Sequence, residues 1–365
     1  MIPYVEIVGK YTLEPFALVE PSECWFEVAY YEKGEFEVYA PATINNLNAL
    51  KNGNYVKIPH QPYLWIIKSV EYAFNNEGAR VISAKGYEAK WLLNTRCILA
   101  PVNLSTNLAT AVYNLVYNNL GPGALSYRKI VGFIPVLPSY SITIEETQAS
   151  RENLGEFIET LLKSYACGSY STYENGQIRF YSIQGQDKTS SVLFSQSMDN
   201  LLTASYYESS EEKRTFCRVV STFNENDQDV EYIQDYNLPD QPANIDRLEM
   251  VVNSNLSTEL EDGTKVEPSS ALYQSWQQQE GKNQLAEKII KKEFSGEIDL
   301  NFSQYKFVDP ITQSTMDNTT DCFFIGDLVK VRDEFFGYEE STRVLKYRFK
   351  QDSTGYGEEI EYGTE

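Results

Sequence analysis

The sequence predicts a mainly β fold with an α+β insert, in which two small barrel-like β-domains flank the insert. The first observation is composition, because 27 tyrosines and 18 phenylalanines in 365 residues are a heavy load of aromatic side chains that favour strands. The second is clean period-two alternation in the first hundred residues, and the third is a switch to helical spacing from about residue 101. We therefore expect a first β-domain at 1–100, an α+β insert at 101–195 and a second β-domain at 196–365.

Two hairpins are predicted in the first domain. In the stretch CWFEVAYYEKGEFEVYAP, apolar residues alternate with glutamates and Gly34 marks the turn. In LWIIKSVEYAFNNEGARVISAKG, the side chains of Val70, Tyr72 and Phe74 share a face, and the loop falls at 75–78. Antiparallel strands of this number and length are typical of a small barrel or sandwich. The domain ends at GYEAKWLLNTRCI, which is predicted to form a short apolar helical turn followed by a linker.

The insert is predicted to hold two amphipathic helices and a hairpin. Apolar residues at helical spacing in STNLATAVYNLVYNNLGPG predict the first helix, which Ser105 or Thr106 can cap and Gly121 can end. The stretch ENLGEFIETLLKSYACGS predicts a second helix that closes at Gly168. The hairpin follows in YSTYENGQIRFYS, where the Asn-Gly pair at 175–176 is a strong turn signal.

The second β-domain contains a long polar interruption. The acidic stretch at 224–270 is interpreted as a large surface loop or a small subdomain, and we expect the loop. A helix is predicted at 271–293, although Gly281 weakens its middle. Its expected apolar stripe comprises Leu272, Trp276, Leu285, Ile289 and Ile290. Strands complete the chain.

Charge limits the kind of partner. The chain has 52 acidic and 31 basic residues, a net charge of −21. Such an acidic surface does not bind a phosphate backbone tightly, because affinity for DNA comes largely from Lys and Arg displacing counterions. The charge indicates either solubility or a surface that must tolerate DNA without holding it.

Several catalytic and metal-binding classes are disfavoured by residue type. His60 is the only histidine, whereas metallohydrolases usually need two or more His ligands and Ser or Cys nucleophiles usually need a His base. Five widely spaced cysteines with no CxxC pair argue against a disulfide framework and a zinc site, and fit synthesis in a reducing cytoplasm. We therefore expect no catalytic residues, no metal site and no cofactor. A hydrolase with two carboxylates needs no histidine and stays the third functional candidate.

Two further features are expected to be absent. The N-terminus MIPYVEIVGKYTLEPF has neither the basic nor the apolar region of a secretory signal. The chain also has no run of about 20 apolar residues that could span a membrane.

Three ordered stretches resemble the siphophage tail-hub proteins, also called tail-associated or baseplate-hub proteins. The first comprises GEFEVYAPA, LKNGNYVKIP and GYEAKWLLNTRCI, and the second is GQDKTSSVLFSQSMDNLLTASYYES. The third is CFFIGDLVKVRDEFFGYEESTRVLKYRFKQDSTGYGEEIEYG, which contains a Gly-Asp turn. Together they cover most of the chain. Two departures are Cys217, where the family more often has Asn, and the long acidic stretch after Phe223.

The resemblance implies β-domains of the phage tube or hub type and a structural role rather than an enzymatic one. It implies a homotrimer whose two β-domains per subunit place six around the axis, so that it docks beneath a hexameric distal tail ring protein and forms or closes the DNA channel. Other expected partners are the tape-measure protein and receptor-binding or tail-fibre proteins, while DNA passes without specific binding. The expected location is the virion tail tip, after synthesis in the bacterial host cytoplasm. The chain stops soon after the last hub-like strand, so we expect no hydrolase extension.

Arg96 and Asp327 are the candidate interface residues. Arg96 follows the exit of the first β-domain, where Trp91 and Leu92 are expected to pack, and it can form a structural ion pair or contact a neighbouring subunit. Asp327 belongs to the Gly-Asp turn near the end of the chain. The neighbouring Cys97 is expected to be a small buried apolar side chain.

Two functional hypotheses remain beside these assignments. The alternative to a hub is a tail-tip module that binds host cell-wall glycan, since exposed Tyr and Trp side chains can stack on sugars. For the hub itself, a lumen lined with Asp and Glu would repel DNA and keep it mobile. That repulsion acts over one Debye length, about 8 Å at physiological ionic strength.

Overall fold

The computed structural model describes residues 2–74, 78–104, 107–145, 147–225, 227–260, 263–298, 304–310, 321–335, 337–353 and 355–363. Strands dominate, which confirms the mainly β class. The strands of the first part are β1 (Val5–Val8), β2 (Pro15–Val19), β3 (Glu23–Ala29), β4 (Glu35–Pro41), β5 (Tyr55–Lys57), β6 (Trp65–Phe74) and β7 (Arg80–Glu88). Those of the middle part are β8 (Val102–Leu104), β9 (Phe133–Val136), β10 (Thr147–Ala149), β11 (Cys167–Glu174), β12 (Gln177–Gln184) and β13 (Leu193–Ser195).

The later strands and the helices complete the described fold. The strands are β14 (Ser205–Ser209), β15 (Phe216–Glu225), β16 (Gln228–Asn237), β17 (Glu249–Asn253), β18 (Lys291–Ile298), β19 (Lys306–Phe307), β20 (Cys322–Phe323), β21 (Leu328–Asp333), β22 (Tyr338–Asp352) and β23 (Gly355–Gly363). The α-helices are α1 (Ile44–Ala49), α2 (Leu108–Asn119), α3 (Leu154–Lys163) and α4 (Ala271–Ala286). Short 3₁₀ helices cover Ala89–Thr95, Gln196–Met198 and Asn244–Asp246.

One large sheet joins strands from both ends of the chain. Its order is β14-β18-β23-β22-β3-β4-β7-β6-β5-β1-β2, with β21 paired to β22 and β13 paired to β21. The seam is the antiparallel pair β22–β3, in which Phe349 lies opposite Phe26 and Lys350 opposite Trp25. The two regions predicted as separate β-domains therefore share hydrogen-bonded strands. The division at 1–100, 101–195 and 196–365 stays a prediction.

Both predicted hairpins of the first part are present, as β3–β4 and β6–β7. The alternation buries one face completely, because the side chains of Phe26, Val28, Phe36 and Val38 are at most 1% exposed. These side chains belong to a core that also receives aromatic residues from the end of the chain. The Tyr63 ring lies 6.5 Å from that of Phe324, for example. Packing across the seam thus reinforces the strand pairing.

The helices of the insert begin and end at different residues from those predicted. Asn107, rather than Ser105 or Thr106, caps α2, because its side chain accepts hydrogen bonds from the amides at 109 and 110. Residues 105 and 106 lie outside the described residues. The prediction that the second helix closes at Gly168 is wrong, since α3 ends at Lys163 and Gly168 belongs to β11. The Asn-Gly turn is confirmed, with both φ angles positive.

The predicted loop at 224–270 is wrong, and the alternative of a small subdomain describes this region. Strands β15, β16 and β17 form a three-stranded sheet, and α4 packs against it. We call β15, β16, β17 and α4 the C-terminal subdomain. It has small apolar clusters of its own, one around Cys217 and Val219 and another around Tyr273 and Trp276.

The helix predicted at 271–293 ends earlier. α4 stops at Ala286, and strand β18 begins at Lys291, so Ile289 and Ile290 do not belong to a helical stripe. Gly281 has a packing role in this helix. A Cβ atom there would lie 2.9 Å from Cβ of Tyr236, so the glycine lets helix and sheet approach closely.

We expect Gly86→Ala to destabilise the main sheet strongly. A Cβ atom at Gly86 would lie 1.9 Å from the carbonyl oxygen of Ile66 on the paired strand, and backbone cannot move away cheaply. The expected loss in free energy of unfolding is about 3 kcal/mol or more. The control is Gly78→Ala, which meets no atom within 4 Å and carries only the cost of its positive φ, about 1 kcal/mol. Equal losses for the two variants in chemical denaturation would contradict the packing argument.

Candidate functional site

A buried ion pair lies where the large sheet meets the insert. Glu88 ends β7 and Lys90 lies in the following 3₁₀ helix, and their side chains are 0% and 4% exposed. The Lys90 ammonium donates hydrogen bonds to the carbonyl oxygens of Ala29, at 2.5 Å, and Ser169, at 2.7 Å. Glu88 Oε1 accepts a 2.9 Å hydrogen bond from the Ser171 amide. The pair therefore connects β3, β7 and β11.

Burial acts on both members of this pair. It raises the pKa of Glu88 and lowers the pKa of Lys90, because each charge is costly away from water. The nearby opposite charge counteracts the shift in each case, with Glu88 Oε2 and Lys90 Nζ 3.8 Å apart. Sequence reasoning did not select these residues, because alternating charges at the end of a strand usually indicate a solvated face.

Arg96 lies just beyond this 3₁₀ helix and is half-buried. Its Nε donates to the carbonyl oxygen of Arg128 at 2.7 Å, and its Nη1 donates to the carbonyl oxygen of Thr95 at 3.0 Å. Among the described residues no ion pair of Arg96 with a carboxylate is present, so its structural role is to bind carbonyls rather than to form an ion pair. A contact between Arg96 and a neighbouring subunit stays a prediction.

The side chains around Arg96 only partly follow expectation. Cys97 is exposed, which contradicts the prediction that it is buried, because Ile98 is the residue of this extended segment that turns inward. Leu92 is buried among the apolar residues of the insert. Trp91 is half-buried, stacks on the Tyr87 ring and lies 3.7 Å beneath the Lys68 ammonium.

The side chain of Asp327 is buried in the fold. It is 4% exposed, and its two carboxylate oxygens accept hydrogen bonds from the amides of Gln186, at 2.8 Å, and Phe324, at 3.0 Å. Burial raises the pKa of Asp327 to about 6. These hydrogen bonds connect the segment before β13 to the turn before β21. A role for Asp327 at a subunit interface stays a prediction.

The face of the large sheet that points away from the core carries paired charges across the seam. Arg348 on β22 is 2.9 Å from Glu27 on β3 and 3.2 Å from Glu359 on β23. Lys350 is 2.6 Å from Glu359. The Arg348 guanidinium also lies 5.0 Å from the centre of the Trp25 ring. This face offers polar contacts, in contrast to the aromatic core behind it.

A groove between α3 and α4 carries carboxylates with altered pKa. Burial raises the pKa of Glu152 to about 7, and the charge of Glu280 adds to this, although the Ser150 amide donates a 3.0 Å hydrogen bond to Glu152. Burial also raises the pKa of Glu280, which accepts a 2.6 Å hydrogen bond from the Ser254 hydroxyl. Sequence analysis missed both residues because they lie far apart in the chain.

The described residues contain neither a candidate metal site nor a helix that could span a membrane. No group of three or more His, Cys, Asp or Glu side chains is arranged to hold a metal ion among them. No helix in the same residues is long and apolar enough to cross a membrane.

A family model, Siphovirus ReqiPepy6 Gp37-like protein, matches residues 22–364. The chain belongs to this family of siphophage tail proteins. The resemblance to siphophage tail proteins is therefore confirmed, and this Gp37-like protein is a phage tail protein of the siphovirus type, a component of the virion tail. No curated protein matches the chain.

Solved phage tail proteins share the fold of this Gp37-like protein. The tail protein from Neisseria meningitidis MC58 is 14% identical with a TM-score of 0.56, and the match covers 99% of this chain and 96% of that one. The prophage MuSo2 43 kDa tail protein from Shewanella oneidensis is 13% identical with a TM-score of 0.54, covering 99% and 98%. Prophage tail protein gp18 from Listeria monocytogenes EGD-e is 13% identical with a TM-score of 0.51, covering 99% and 94%.

We expect Lys90→Met to lower the free energy of unfolding of this Gp37-like protein by about 3–5 kcal/mol, because it leaves the Glu88 carboxylate buried without its partner. The double variant Glu88→Gln/Lys90→Met should recover part of that loss. The control is Lys288→Met, which breaks the exposed pair with Glu212 and should cost less than about 1 kcal/mol. Chemical denaturation measures all three. A Lys90→Met variant as stable as the control would show that the buried pair does not stabilise the junction between the large sheet and the insert.

We expect the stability contributed by Glu152 to fall as pH rises. Its pKa in the folded chain is about 7, above the ordinary value of 4.5, so the folded state binds the proton more tightly than the unfolded state. The contribution is complete below about pH 4.5 and is lost as pH rises through about 7. Glu152→Gln should therefore raise the melting temperature at pH 8 relative to the unsubstituted chain, and Glu14→Gln at an exposed site should not. A Glu152→Gln variant with an unchanged pH profile would contradict the assignment.

Proposed function

We propose that this tail protein is a structural hub of the siphophage tail tip and acts without catalysing a reaction. The observation that carries the proposal is the seam between β22 and β3, which joins strands from both ends of the chain into one sheet. The core behind the seam contains residues of both halves. The shared sheet holds the strands from the two ends of the chain in one fixed orientation relative to each other within each subunit.

In this proposal the hub is a homotrimer. Three copies, each with two groups of strands, place six such groups around the axis and can dock beneath a hexameric distal tail ring protein. The described sheet ends in β2 on one side and β14 on the other. Two different edges suit a head-to-tail contact, which closes into a ring when the rotation between copies is right. Exposed side chains on both edge strands, including Leu18 and Tyr207, are available for such contacts.

The trimer forms or closes a channel through which DNA passes without specific binding. The net charge of −21 supports this, since phosphate binding requires clustered basic residues. The proposed partners are the ring protein, the tape-measure protein and receptor-binding or tail-fibre proteins. Arg96 is the better placed of the two candidate contact residues, because the Asp327 carboxylate is engaged within the chain.

Binding of host cell-wall glycan is the alternative function. Exposed tyrosines such as Tyr11, Tyr127 and Tyr206 could stack on sugar rings. They lie on different elements, namely the β1–β2 turn, the segment after α2, and β14. The hub is therefore the better supported function.

The purified chain is expected to have a native mass of three chains and to form three-fold rings with pseudo-six-fold character in electron micrographs. Leu18→Lys on the edge strand β2 should shift the mass towards one chain, because it places a charge in the proposed contact. Leu125→Lys is the matched control, since Leu125 is similarly exposed but lies in the segment between α2 and β9 rather than on an edge strand of the sheet. A chain that stays monomeric in the presence of its purified ring protein would refute the trimeric hub.

A further inference from the structure

The groove between α3 and α4 has an unusual lining. Its volume is about 400 Å³, and it separates the insert from the C-terminal subdomain. The charged side chains that line it are all acidic: Glu152, Glu156, Glu280 and Glu287. Among the described residues that line the groove there is no Lys, Arg or His. The groove is therefore a concentrated negative site.

The two deepest carboxylates have hydrogen-bond partners but no cation. Glu152 accepts a hydrogen bond from the Ser150 amide, and Glu280 accepts one from the Ser254 hydroxyl. Neither has an ion-pair partner in the part of the chain that the structure describes, whereas the carboxylates of the sheet face are paired with Lys or Arg. Placing acidic groups close together without a cation is unfavourable unless a positive ligand compensates them.

An unsatisfied hydroxyl lies in the same lining. Ser150 is 4% exposed, and its Oγ has no hydrogen-bond partner among the described residues. A buried hydroxyl without a partner costs free energy that an additional polar group in the groove would recover. This observation is independent of the charges and also indicates that the groove accepts a polar group from outside.

We propose that this groove binds an arginine side chain presented by a second, basic protein. A guanidinium is planar, carries its charge permanently and offers five N–H donors, so it can bind the carboxylates of Glu152 and Glu280 at once. The proposed partner is a different, basic protein, because its charge complements both the acidic groove and the net charge of −21 of this chain. The groove joins the insert to the C-terminal subdomain, so an arginine in it would also hold these two parts together.

The test uses N-acetylargininamide as the probe and its uncharged isostere N-acetylcitrullinamide as the comparison. Carbon-detected NMR of a sample labelled at the glutamate carboxyl carbons follows both titrations at pH 8. The arginine probe should shift the Glu152 and Glu280 signals saturably, with a Kd on the order of millimolar for a single side chain. The citrulline probe should shift neither signal. Glu280→Gln should weaken binding of the arginine probe at least about tenfold, and Glu14→Gln should leave it unchanged.

Four results would overturn the proposal. The first is no saturable shift up to about 50 mM arginine probe, and the second is equal shifts with both probes, which would exclude charge recognition. The third is saturation of the same signals by Ca²⁺ at lower concentration, which would identify a metal site instead. The fourth is loss of the probe signal on self-association with recovery on dilution, which would show that a second copy covers the groove. Native mass measured on the same samples tests the trimer separately, so either proposal can fail without the other.

Discussion

The buried pair of Glu88 and Lys90 fixes the position of the insert on the large sheet, at the edge of the apolar core that the two share. Lys90 donates to carbonyl oxygens of two elements, the end of β3 and the start of β11, while Glu88 binds the backbone of β11. A charged group can satisfy several backbone groups at one point, which an apolar side chain cannot do. The same strand β3 forms the seam with β22, so the pair fixes the insert relative to the seam.

The seam itself combines two kinds of contact on its two faces. On the inner face, aromatic side chains such as Tyr63, Phe324 and Phe349 pack together. On the outer face, Arg348 bridges Glu27 and Glu359 across three adjacent strands. Apolar burial supplies most of the stabilisation, because half-exposed ion pairs contribute little each. The charged pairs specify register instead, since a slip of one residue would move Arg348 to the core face.

Local patterns in the sequence predicted local structure well, and contacts between distant segments could not be predicted. The hairpins β3–β4 and β6–β7 follow from alternation and turn residues, which act within a few positions. At 224–270 the loop was expected rather than the alternative of a small subdomain, because β16 has an acidic, largely exposed sequence that resembles a loop. The helix prediction over 271–293 ran too far because Ile289 and Ile290 fit helical spacing as well as a strand start. The groove around Glu152 depends on residues more than 100 positions apart, and one sequence has no signal for that.

The C-terminal subdomain is attached differently from the insert. The insert shares a large apolar core with the first strands, and none of the described residues of the subdomain belongs to that core. The subdomain meets the insert through several polar contacts. The Ser257 amide donates to Gln148 at 2.8 Å, Tyr165 donates to Gln279 at 3.2 Å, and the Lys282 ammonium lies 4.2 Å from the centre of the Tyr165 ring. Polar contacts of this kind exchange readily with water and give little net stabilisation. The acidic groove lies at this same boundary. Its negative charge therefore affects how firmly the subdomain is attached, and does not affect the apolar core that the insert shares with the first strands.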